Sequence, residues 1–199
     1  MDLQKLREAI DGTDIYLLDQ ILKLNYQEGS KILDVGCGAG RNLKWFYKNN
    51  YEIFGIDISE DDITYCKEVY QKQSNHFKLA SAQEIPFSDN FFDHVVCNAV
   101  LHFANDSVHF TKMFKELIRV LDSKGTLFIR TASNFGLEYT AEHISNGVYK
   151  LPDGSQRFLI TKDFIENLEE KYNIELIENV KTTLVRDKRS MTTLVLKKP

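Results

Sequence analysis

Three glycines at alternate positions, Gly36, Gly38 and Gly40, follow the stretch Ile32-Leu33-Asp34-Val35 and precede Arg41-Asn42. Without Cβ atoms the backbone there can turn sharply and bring its amides against a ligand. A helix beginning near Arg41 adds unpaired N–H groups and the positive end of its dipole, so the turn suits an electron-rich or negatively charged ligand group. A second candidate, Asp57, closes the apolar run Ile53-Phe54-Gly55-Ile56. A carboxylate about 20 residues beyond such glycines is placed to accept both hydroxyls of a ribose. Ser59 and Asp62 have the spacing of a cap for the next helix, which leaves Asp57 free for a ligand. Farther on, Asn98-Ala99-Val100-Leu101-His102-Phe103 follows another apolar strand. His102, with an ordinary pKa of about 6.5, can orient or deprotonate a nucleophile there.

Spacing separates the ligand classes that use such a turn. A dinucleotide fingerprint needs a further glycine three residues after the second, and Arg41 stands at that position. A Walker loop needs Gly-Lys-Ser/Thr, which does not follow. An NAD-type oxidoreductase shares Asp57 but lacks the third glycine, and stays open as an alternative.

These residues need elements to hold them. Ile32, Leu33 and Val35 form a nearly continuous apolar run, as in a strand covered on both faces of a parallel sheet. Leu3, Leu6 and Ile10, then Tyr16, Leu17, Ile21 and Leu22, recur at helical spacing and predict a helical N-terminal extension over 1–29. Further strands are expected at 53–57, at 76–80, after Phe92-Asp93 up to Asn98 and at 126–129, alternating with helices. The longest helix is capped within Asn105-Asp106-Ser107 and carries an apolar face of Phe110, Met113, Phe114, Leu117 and Leu121. Glycines and a proline break the alternation over 133–160, where Val148–Leu151 and Gln156–Ile160 flank Pro152-Asp153-Gly154-Ser155 like a hairpin. Thr161 caps a last helix, and Ile174–Val180 and Met191–Leu196 are expected as two strands joined by Arg186-Asp187-Lys188-Arg189.

Asp34 through Gly40 resembles motif I of class I S-adenosylmethionine (SAM)-dependent methyltransferases, apolar-apolar-Asp-apolar-Gly-x-Gly-x-Gly, at every defined position. Ala82-Gln83-Glu84-Ile85-Pro86-Phe87, followed by Phe92-Asp93 and an apolar strand, is similar to the family's adenine loop and fourth strand. Ser81 stands where the family commonly has an acidic residue. Arg119 to Ile129 resembles the family's turn into strand five. Gly40-Arg41-Asn42 and the short chain are similar to tellurite-resistance-type methyltransferases within the class.

The resemblance implies a Rossmann-like α/β three-layer sandwich, with a seven-stranded, mostly parallel sheet and an antiparallel C-terminal hairpin. It implies a single domain over 1–199, in which the insertion 133–160 covers the substrate. SAM would be the cofactor and S-adenosylhomocysteine (SAH) the product, with methyl transfer to a small-molecule nucleophile. Asp34, Gly36, Cys37, Gly38, Gly40 and Asn42 would hold the cofactor from the glycine turn. Asp57, Ile58, Ser81, Ala82, Gln83 and Asn98 would hold it from the neighbouring strand ends. His102 is the catalytic candidate, joined by Tyr16 because the family's N-terminal segment often folds over the cofactor. Tyr139, His143, Tyr149 and Arg157 are the substrate candidates. A SAM-binding regulatory protein without catalysis is the other alternative.

A net charge of -4 gives no general attraction to nucleic acid. Base methylation is disfavoured too, since Ala99 and Val100 replace the prolines that position a flipped base. Cys37, Cys66 and Cys97 are odd in number and lack metal spacing, which fits reduced core thiols. Met1 to Glu8 has no apolar run of signal length and no stretch reaches membrane-spanning length, so a cytoplasmic protein without membrane partners is expected.

Overall fold

A computed structural model describes residues 2–199. Two helices, α1 (Leu3–Ile10) and α2 (Ile15–Leu22), precede β1 (Lys31–Val35), which leads through the glycine turn and a 3-10 turn, Arg41–Leu43, into α3 (Lys44–Lys48). Then come β2 (Glu52–Asp57), α4 (Glu60–Val69), β3 (Phe77–Leu79), β4 (Phe92–Asn98), a 3-10 turn at Leu101–Phe103, α5 (Ser107–Val120) and β5 (Leu121–Ala132). After β6 (Glu142–Ser145), β7 (Val148–Lys150) and β8 (Gln156–Phe158), the chain closes with α6 (Lys162–Tyr172), β9 (Glu175–Leu176), β10 (Lys181–Val185) and β11 (Arg189–Lys197).

Seven strands run in the order β10-β11-β5-β4-β1-β2-β3, parallel from β5 to β3 and antiparallel at β11 and β10. The order reverses between β1 and β4, and in open α/β sheets ligands bind outside the carboxyl ends of the strands at such a point. Strand alternation divides the core into two faces. Ile32, Ile53, Val96 and Phe128 pack with Leu17 and Ile21 of α2, Phe46 of α3 and Ile63 of α4. Leu33, Phe54, Val95, Leu127 and Leu194 pack on the opposite face with Phe110, Phe114 and Leu117 of α5 and Ile165 of α6. The expected three layers follow from this division.

The caps act as their sequences require. The Ser59 Oγ accepts from Asp62 N at 3.3 Å, the Asp106 carboxylate from His109 N at 2.7 Å, and the Thr161 Oγ1 from Phe164 N at 3.2 Å. Two details differ from expectation. Only Glu175–Leu176 of the stretch 174–180 is strand, and the hairpin partner of β11 begins at Lys181, so β9 and β10 share one edge of β11. The insertion holds a third strand, β6, making a separate antiparallel sheet β6-β7-β8. Period-2 alternation across the charged and exposed residues of β6 and β10 is too weak to set such limits.

Asp14 is one of the residues that tie down the N-terminal extension. It caps α2 through Tyr16 N at 2.9 Å, donates its own amide to Asn42 Oδ1 at 3.1 Å, and pairs with Arg130 at 3.3 Å. Arg41 reaches the Gly12 carbonyl at 2.7 Å, so the residue that replaces a fingerprint glycine clamps this segment instead.

Candidate functional site

The glycine turn hangs from β2. The amides of Gly36 and Cys37 both donate to the Ile56 carbonyl, at 2.8 and 3.0 Å. Gly36 and Gly40 have φ of +72° and +73°, and both lie in close quarters: a Cβ on Gly36 would come 2.2 Å from Val100 Cγ2, and one on Gly40 2.7 Å from the Tyr70 ring. Glycine alone meets both demands. Asp57 locks the arrangement, accepting from Gly38 N at 2.8 Å and from Ser59 N at 2.9 Å. Each of its oxygens keeps lone-pair capacity for a further donor.

A cavity of about 480 Å³ lies at the switch point. It gathers Gly36, Asp57, Ile58, Ser81, Ala82 and Gln83 from the sequence-predicted set. Its remaining lining, Ala80, Ala99, Val100, Phe103, Asn105, His109 and Met113, was not among the expected cofactor residues. Ala99 and Val100 directly follow β4, and their position at a strand's carboxyl end was the available signal. Met113 read as one more apolar position of α5.

The other cofactor candidates stand behind this cavity. The Gly38 and Gly40 backbones form the turn itself. Cys37 is buried on the α4 face, where its sulfur would lie 2.9 Å from a Cβ on Gly55. The Asn42 side-chain oxygen is spent on Asp14 N. Asp34 and Asn98 share the sheet face on which α2 packs and are 1% and 7% exposed, yet neither side chain has any hydrogen-bond partner in the protein. Arg130, opposite Asn98 in the β4–β5 register, has an unpartnered Nε, and Thr13 an unpartnered hydroxyl. Leaving a buried polar group unpaired costs about 1–3 kcal/mol, so this cluster suits the polar end of a ligand. Burial pushes the Asp34 carboxyl up to about 7, against the pull of the Arg41 charge and of the neighbouring Asn42 side chain.

His102 faces a different space. It lines a second cavity of about 280 Å³ with Phe103, Ala104, Asn105, Val148, Gln156 and Arg157. The two cavities share Phe103 and Asn105 as a common wall. Burial, followed by the charges of Arg157 and Arg130, lowers the His102 pKa to about 4, so the imidazole is neutral at pH 7. Tyr149 and His143 meet edge to face at 5.0 Å on β6 and β7, Tyr139 is fully exposed, and none of the three lines either cavity. Tyr16 lines neither as well: its hydroxyl pairs with Thr183 Oγ1 and its ring lies 5.2 Å from the Arg130 guanidinium. Among the described residues no helix is long and apolar enough to cross a membrane.

The profile of a methyltransferase-domain family matches residues 33–129. An uncharacterised protein of Methanocaldococcus jannaschii is 32% identical over 141 residues, covering 69% of this chain and 62% of that one. Methyltransferase GfsG of Streptomyces halstedii is 26% identical over 163 residues, 78% of this chain and 56% of that one. The chain thus spans less than two thirds of the length of either curated relative. Among solved structures, Burkholderia thailandensis 1,6-didemethyltoxoflavin-N1-methyltransferase, with 1,6-didemethyltoxoflavin and SAH bound, aligns with a TM-score of 0.71. It is 13% identical and covers 99% of this chain and 81% of that one.

Two outcomes follow from this geometry. Gly36→Ala should weaken SAH binding at least about tenfold by calorimetry, and Val100→Ala in the same chain should restore part of it, with about 1–2 kcal/mol of backbone strain remaining. Unchanged affinity in Gly36→Ala would show that the turn is not pressed against Val100. For Asp34, the folded pKa lies above the unfolded value, so stability present below about pH 4 is lost as pH rises towards 7. Asp34→Asn removes that loss, and its stability relative to wild type in urea titrations should rise across this window. A flat difference would contradict a neutral buried Asp34.

Proposed function

We propose that the chain is a class I SAM-dependent methyltransferase and that it transfers a methyl group from SAM to a small-molecule nucleophile, a reading supported by the methyltransferase-domain match over residues 33–129. One observation carries the proposal: the larger cavity brings Gly36, Asp57 and Ser81–Gln83 together, from three separate loops, in the combination a bound adenosine needs. Asp57 accepts the ribose hydroxyls, Ser81, Gln83 and the Ala82 backbone meet the adenine edge, and Ile58 flanks the ring. Asp34 and Asn98 fit the amino-acid end, since their unpartnered buried oxygens and amide are what an ammonium and a carboxylate would satisfy.

When bound, SAM supplies a methyl group on a sulfonium, and an acceptor lone pair forms the new bond to carbon as the carbon–sulfur bond breaks with its electron pair left on sulfur, giving SAH. The chain's part is to hold the acceptor in line with that bond and to exclude water. Phe103 and Asn105, which wall both cavities, are the residues past which an acceptor reaches the methyl group. His102, neutral at pH 7, accepts a hydrogen bond from the acceptor's O–H, N–H or S–H and so orients its lone pair. A base with a pKa near 4 extracts little from an alcohol at neutral pH, so acceptors that ionise readily or attack as neutral amines suit it best.

Titration calorimetry with SAM, SAH and NADH separates this reading from an oxidoreductase. SAM and SAH should bind and NADH should not. Asp57→Ala should weaken SAH by about 10- to 100-fold, the size of a lost charge-assisted hydrogen bond of about 1.5–3 kcal/mol. Binding of NADH alone would overturn the proposal. Binding of SAM with no methyl transfer to a broad panel of thiols, amines, acids and phenols would leave a regulatory SAM-binding protein.

A further inference from the structure

The second cavity lies between the 3-10 turn that carries His102 and the strands β7 and β8. Its chemistry is one-sided. Arg157 lies with its guanidinium carbon 4.9 Å from the Phe103 ring centre, the distance of a cation–π contact. One of its terminal nitrogens donates to the Gln156 carbonyl at 2.6 Å, and among the described residues no carboxylate pairs with it. His102, 7% exposed, has an Nδ1 with no hydrogen-bond partner. The charges bearing on that imidazole come from Arg157 and Arg130, and no acidic group offsets them. A cationic fork and a buried imidazole thus line a space with no negative charge of its own.

An arginine held against an aromatic ring keeps its guanidinium in a set orientation, and the free N–H groups of such a fork match a carboxylate in two parallel hydrogen bonds. An ammonium would meet only positive potential here, and a neutral acceptor would leave the arginine without a partner. We propose that this cavity is the acceptor site and that the acceptor is a small carboxylic acid, its carboxylate anchored by Arg157 and its body lying against His102 and the Phe103–Asn105 wall. The proposal rests on the methyltransferase reading for the word acceptor, but the anion site stands on the cavity's own residues.

The test is nuclear magnetic resonance of the histidine imidazoles, with and without SAH. The probes are benzoate, 4-hydroxybenzoate and 3-hydroxypropionate, each beside its primary amide. The acids should shift the His102 signals and bind at least about tenfold more tightly than their amides, the difference of a charge-assisted pair. Arg157→Met should abolish that preference. Arg157→Lys, which keeps the charge and loses the fork, should retain only a small part of it. Equal binding of acids and amides, undiminished acid binding in Arg157→Met, shifts confined to other histidines, or no acid binding at millimolar concentration would each overturn the proposal. Failure of SAH to bind in the same samples would count against the methyltransferase reading instead, while the acid–amide comparison still reports on the cavity.

Discussion

The carboxylate of Asp57 accepts the Gly38 amide on one oxygen and the Ser59 amide on the other. It thereby joins the turn after β1 to the start of α4, and the larger cavity opens on that junction. A second constraint crosses it: Gly36 sits so close to Val100 that no side chain fits between them, which fixes the turn after β1 against the end of β4. The first contact lies on the β1–β2 side and the second spans β1 and β4, where the sheet order reverses, and the cavity is the space they leave. A parallel sheet provides that location in outline; these contacts give it walls.

Around the junction the chain tolerates costs that a purely structural core would avoid. Asp34, Asn98 and the Nε of Arg130 are buried without partners on one sheet face, beneath the segment that Asp14 and Arg41 hold in place. By contrast Tyr70 donates to the Gly40 carbonyl at 2.6 Å and Tyr51 to the Tyr26 carbonyl at 2.9 Å, while Thr131, Asn134 and Thr193 add further unpartnered oxygens on and just after β5 and on β11. Unpaired groups concentrated at strand ends are a stability cost of the kind that binding can repay. His102 has a similar character on the far side of Phe103, where burial and two guanidinium groups keep it neutral.

Features set by local spacing were legible in the residues: the glycine turn, Asp57 at its strand end, and the caps at Ser59, Asp106 and Thr161. Each depends on neighbours within a few positions. Features that depend on distant partners were not. Asn42 stands in the glycine motif but gives its side chain to Asp14, and Tyr16 pairs with Thr183, which lies on the C-terminal hairpin. Phe103 closes the stretch after β4 that the sequence already places at a strand end, but its part with Asn105 as a wall of the second cavity arises because Val148 of β7 and Gln156 and Arg157 of β8 fold back over that turn. The division of one expected strand into β9 and β10 has the same origin, since both borrow their pairing from β11.

A crystal structure of the SAH complex tests the central claim most directly. The account predicts the ribose hydroxyls on the Asp57 carboxylate, the adenine beside Ser81–Gln83, and the homocysteine end at Asp34 and Asn98 with the sulfur facing the Phe103–Asn105 wall. Adenosine seated elsewhere, or a homocysteine end that leaves Asp34 and Asn98 unpaired, would contradict it.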